Sequence, residues 1–169
     1  MKLLAALAAI AAALALQTTL AGLVIRGTAA LDLVLIVVVY ISLISGPVSG
    51  VLVGSLAGLI QDSLSLGVLG IGGLAKTLVG FAAGVLGTQF IVAAPLPRFV
   101  VFVLATILHA AVFMGLYSLL DLRQFPTPYS AVLSQAVGNG FIGVVLAQVV
   151  ELLPGLRDRR RARRIGGRH

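Results

Sequence analysis

The sequence predicts an all-α integral membrane protein, a bundle of six transmembrane helices. Three observations carry that expectation. Of 169 residues 60% are hydrophobic and 10% charged, with mean hydropathy +1.16, a composition made for a bilayer. Uncharged runs recur that are long enough, at about 1.5 Å per residue, to cross about 30 Å of hydrocarbon. Basic residues mark both ends of the chain: Lys2 at one, and Arg157, Arg159, Arg160, Arg161, Arg163, Arg164 and Arg168 at the other. Basic flanks resist translocation, so both termini are expected in the cytoplasm, and the number of spans must be even.

The first span is expected over about 3–25. Lys2 and Ala13-Leu14-Ala15 give a weak signal-peptide pattern, but the apolar run continues well past that site. After a polar turn from Arg26 to Asp32, the uncharged run from Leu33 to Ile60 is too long for one ordinary helix. It is broken at Gly46-Pro47, where proline removes a backbone donor and disfavours helix in the residue before it. Pattern alone leaves a kink and a tight turn equally open; counting a turn gives six spans, with short helices over 33–45 and 47–62. The remaining spans are expected over 71–93, 99–120 and 129–153, with Arg98 in an inner turn and 154–169 a cytoplasmic arginine-rich tail. The net charge of +7 resides almost wholly in that tail. Directly after a membrane helix, it is expected to meet anionic lipid and not nucleic acid.

The hairpin from Gly46 to Gly84 organises the rest. Gly50, Gly54 and Gly58 on one helix and Gly80 and Gly84 on the next clear helix faces for close packing, the main attraction available where lipid solvates every apolar side chain. The hairpin's charges are Asp62 and Lys76, beside Gln61. Near a bilayer core such groups are read as paired, buried or functional. One reading is an ion pair or hydrogen-bonded cap that fixes the hairpin; the other is a ligand or partner contact at the mouth of the bundle. His109, midway along the fifth span, suits an interhelical hydrogen bond better than a proton relay. Gln17, Thr18 and Thr19 in the first span, and Gln135, Gly138, Asn139 and Gln148 in the sixth, suit hydrogen bonding between helices, or a lipid-filled cleft for the latter group.

Catalytic constellations are missing from the sequence. There is no HExxH, P-loop or nucleophile elbow, and no Cys for a thiolate site or disulfide. Two His leave few general bases, so no enzyme, metal or cofactor is expected. An intramembrane lipid enzyme using Asp62 and His109 is the remote exception.

The glycine-stepped third helix closing in Gly58-Leu59-Ile60-Gln61-Asp62, then Gly67, Gly70, Leu74 and Lys76-Thr77-Leu78-Val79-Gly80, together with Gln17-Thr18-Thr19, resembles the MreD family, rod-shape-determining membrane proteins of bacteria. The likeness spans roughly 3–153 and leaves out the arginine tail. It implies a non-enzymatic subunit of the cell-elongation machinery in the cytoplasmic (inner) membrane, which binds the single-span protein MreC. Through MreC it would connect with the actin-like MreB, the polymerase RodA and a class B penicillin-binding transpeptidase. It also implies a fold similar to the six-helix substrate-binding subunits of energy-coupling-factor transporters. The glycine-lined hairpin would then receive the MreC helix or a second copy of the chain as a homodimer. A small-molecule-binding transporter subunit is the alternative, which the scarcity of aromatics (6%, no Trp) weakens.

Overall fold

In the computed structural model the described residues are 2–21, 31–65, 68–90, 94–121 and 129–152. They form six helices and no strand: α1 (Lys2–Ala21), α2 (Leu33–Ser45), α3 (Pro47–Leu64), α4 (Ile71–Gln89), α5 (Pro95–Leu119) and α6 (Tyr129–Leu152). The arginine run, Gly67 and the connection 22–30 lie outside them. By length and apolar composition α3, α4, α5 and α6 can each cross a membrane, while α1 and α2 carry shorter apolar stretches.

Gly46 decides the topology. Its φ of +89° is open to glycine but strained for other residues, and Pro47 follows at the first position of α3, where a missing N–H loses no helical bond. The break is therefore a reversal: Gly87 of α4 lies against Leu43 of α2, while Gly50 of α3 lies against Gly80. Thus α4 runs parallel to α2 and antiparallel to α3. Further on, Phe102 of α5 meets Gly143 of α6, and Arg98 meets Glu151. Gln17, near the end of α1, bonds the start of α2. The directions alternate, so α1 begins and α6 ends at the same end of the bundle as the Gly46 turn.

The helix from Pro95 starts earlier than the sequence suggests. Pro95 and Pro97 fall in the first turn of α5, which tolerates residues without an N–H, and Ala94 before it is extended. Arg98 is consequently a helical residue, buried against α6, and not part of a turn.

At the centre stands α2, packed against all five other helices. One side joins Val34 and Val38 to Ile10, Ala13 and Leu14 of α1 and Val53 and Ala57 of α3. The other joins Leu35, Ile36 and Val39 to Val79 and Ala83 of α4 and Phe102 and Ala105 of α5. Being apolar on nearly every side is what a helix enclosed by others requires. Large side chains turned outward, among them Leu52, Leu78, Phe81 and Leu104, suit a lipid surround.

The α3–α4 seam is backbone on backbone. A Cβ at Gly50 or Gly80 would strike the other glycine's carbonyl, and one at Gly54 the carbonyl of Lys76. At Gly58 it would come to 2.5 Å from the Cα of Gly73, and at Gly84 to 2.5 Å from that of Pro47. These five glycines were expected to admit a partner helix or a second copy. Their faces are instead filled from within, because each helix of the hairpin is the other's close neighbour.

Candidate functional site: a polar centre at the start of the central helix

With 13 residues, α2 is about 20 Å long and covers only part of the bundle's depth. Its N-terminus therefore opens inside the bundle, where its first N–H groups have no helical acceptor. Asp32 caps it, Oδ1 accepting from the Leu35 N–H at 2.9 Å. Gln17 of α1 adds a second acceptor, its Oε1 lying 3.3 Å from the Val34 nitrogen. From α6, Asn139 Oδ1 accepts from the Asp32 N–H at 3.2 Å, while its Nδ2 donates to Thr106 Oγ1 on α5 at 3.2 Å. Thr106 in turn donates to the Phe102 carbonyl.

Charge completes the arrangement. Lys76 of α4 donates to Asp32 Oδ2 at 2.8 Å, and both side chains are less than one tenth exposed. His109 Nε2 of α5 lies 3.4 Å from Lys76 Nζ and 3.7 Å from Asp32 Oδ2. An ammonium has only donors, so Nε2 can meet Lys76 only as an acceptor, and Nδ1 has no bonding partner among the described residues. His109 also begins an aromatic ladder up α5 through Phe113 to Tyr117, whose hydroxyl accepts from the Val68 N–H.

Asp62 does not pair with Lys76. It stands in the last turn of α3 and accepts from the N–H groups of Gly70 (2.9 Å) and Gly73 (3.1 Å), so it caps α4. The physical reason is reach. Asp62 faces the unsatisfied first turn of α4, while Lys76 lies further along, level with Gly54 and extended to the start of α2. Gln61 beside it is half-buried, with its Oε1 unbonded. Gln135 stands half-buried one turn before Asn139, and Gln148 is exposed.

Of the residues singled out from the sequence, Gln17, Lys76, His109 and Asn139 come together. Asp32 and Thr106 were missed, although Asp three residues ahead of a helical N–H is a capping pattern and was open to being found. The third charged contact is at the Gly46 end, where Arg98 grips Glu151 with two bonds of 3.0 and 2.6 Å. Among the described residues no group of His, Cys, Asp and Glu is placed to hold a metal ion.

Helices of membrane length, joined by glycine seams and by polar groups bonded chiefly to one another, define a multi-pass membrane protein that is held together as a structural body. The family follows from comparison with known proteins: residues 2–155 match the family model described as rod shape-determining protein MreD. The chain belongs to the MreD family and so to the cell-shape proteins of the rod complex. No curated protein and no solved structure matches it, so the energy-coupling-factor likeness gains no structural support.

Proposed function

We propose that this protein is a non-enzymatic scaffold of the cell-elongation complex, which positions the transmembrane helix of MreC and thereby regulates peptidoglycan synthesis. The observation that carries the reading is the use made of the interior charges. Asp32 and Lys76 bind each other, Asp62 binds the start of α4, and Arg98 binds Glu151. Each joins two helices, and together they make a rigid body without presenting a reacting group. With the glycine seam closed, a partner's helix is left the outer faces. Indirect contact with MreB, RodA and a class B penicillin-binding protein runs through MreC.

The bundle sits in the bacterial inner membrane with the Gly46 end cytoplasmic. That end collects the start of α1 at Lys2, Arg98 and the chain leading to the seven arginines, while Asp62 and Asp121 are at the other. The test is co-purification of MreC with the full chain, followed by a cysteine cross-linking scan of Leu52, Leu78, Phe81 and Leu104. Cross-links confined to one outer face are expected. A correctly folded protein that recovers no MreC from cells producing both would overturn the proposal.

A further inference from the structure

Asp32 Oδ2 is approached from two helices at once. Lys76 Nζ of α4 stands 2.8 Å from it and His109 Nε2 of α5 3.7 Å, while the two nitrogens are 3.4 Å apart. The other carboxylate oxygen, Oδ1, accepts from the Leu35 N–H, so a single oxygen faces both bases. With Lys76 as the cation, His109 meets it as a neutral acceptor, and that contact ties α4 to α5. A proton on His109 reverses it. Nε2 then donates, its acceptor is Asp32 Oδ2, and two cations at this separation repel each other.

No further charge offsets that repulsion. Of the helices packed against α5, α2 supplies Asp32 and α4 supplies Lys76; Glu151 of α6 is held by Arg98 at the Gly46 end, and α6 brings the neutral Asn139 to this level. Tyr40, Tyr117 and Tyr129 lie roughly two turns or more away along their own helices. His109 is also the most exposed side chain of the three, at 12% against 8% for Asp32 and 3% for Lys76. Beyond it no side chain of α5 is fully enclosed: Val112 to Tyr117 are all half-buried, and nothing stands within 4 Å of a Cβ added at Gly115.

We propose that Asp32, Lys76 and His109 form a proton-responsive latch: the cluster holds one cation, either Lys76 or His109, and a proton taken up by His109 displaces Lys76 and frees α4 from the far half of α5. The latch does not rest on the scaffold reading.

The chain has no Cys, so spin labels can be placed at Leu74→Cys on α4 and Ala111→Cys on α5, both exposed and just beyond the cluster on the side away from the Gly46 turn. Their separation in the full chain in lipid nanodiscs, read by pulsed dipolar spectroscopy, is expected to grow by about 2 Å between about pH 8 and about pH 4. The pair Phe81→Cys and Leu104→Cys, toward the Gly46 turn, should stay fixed. His109→Gln, which keeps an acceptor for Lys76 but takes no proton, should abolish the change. Lys76→Met inverts the response. With the competing cation gone, protonated His109 becomes the counter-ion of Asp32, so acid should lower the unfolding equilibrium constant roughly tenfold, where it raises that of the parent. The gain should vanish in Lys76→Met/His109→Gln; a gain that persists there is Asp32 taking the proton itself, and overturns the proposal. So does a fixed Leu74–Ala111 separation with the cluster unaltered, a reading that needs no substitution among the three, or an equal shift in His109→Gln.

Discussion

Lys76→Met removes the cation from a site where Asp32 is buried, bonded otherwise to the Leu35 N–H. An unpaired buried charge is destabilising by about 3–5 kcal/mol, and a membrane interior does not rehydrate it. Asp32→Asn keeps an oxygen to cap α2 but strands the ammonium, so a loss of about 3 kcal/mol is expected from that side. The double variant has no charge left to strand and should lose about 3 kcal/mol in all, giving a coupling of about 3–5 kcal/mol between positions 44 residues apart. Exchanging the two, Asp32→Lys with Lys76→Asp, restores a pair but sets a cation on the N-terminus of α2. It should remain about 1–2 kcal/mol below the parent protein. Equilibrium unfolding in mixed micelles titrated with sodium dodecyl sulfate measures all four. Losses that add to within about 0.5 kcal/mol would refute the claim that this pair holds the bundle's centre.

Other substitutions separate close packing from mere flexibility and caps from charges. Gly50→Ala and Gly80→Ala should each greatly reduce the yield of folded protein in size-exclusion profiles, since the new methyl meets a carbonyl. Gly115→Ala, with nothing within 4 Å of the added carbon, should be neutral or stabilising by up to about 1 kcal/mol on the same unfolding assay. Asp62→Ala should lose about 1–2 kcal/mol, and Asp62→Asn less because an acceptor for Gly70 and Gly73 remains; hydrogen exchange at the first turn of α4 reports it. Arg98→Lys should weaken the α5–α6 contact almost as much as Arg98→Ala, because one ammonium cannot reproduce the two-pronged grip on Glu151; a disulfide-trapping rate between the helix ends reads this.

Helix count and the Gly46 break were legible because composition, charge at both ends and proline chemistry each constrain the chain locally. Glycine spacing likewise marked a close-packing seam, but spacing along one helix does not say which helix comes close. The seam therefore read as an opening for a partner when it is the hairpin's own interior. The same gap left open whether Asp62 would pair with Lys76 or cap the hairpin, and it is the cap that forms. Asp62 and Lys76 are neighbours along the chain, and Asp32 reads only as the last residue of a polar turn before an apolar helix. Only the folded arrangement shows that α2 starts inside the bundle, so that a residue at the edge of a turn becomes its most enclosed acid. Asn139 was flagged by its place on α6, but nothing in its neighbours along the chain points to the Asp32 backbone 107 residues away.

The location of that polar centre bears on how a membrane scaffold can be specific. In lipid an apolar side chain gains little by leaving the bilayer for a protein core, so close contact and internal hydrogen bonds must select one arrangement of helices. Here the bonds converge at the end of a single short helix and draw on α1, α4, α5 and α6, while the glycine seam adds α3. Shifting one helix along another would break several of them at once. The outward surface is thereby released from any part in holding the fold, and Leu52, Leu78, Phe81 or Leu104 can be shaped by what they meet in the membrane.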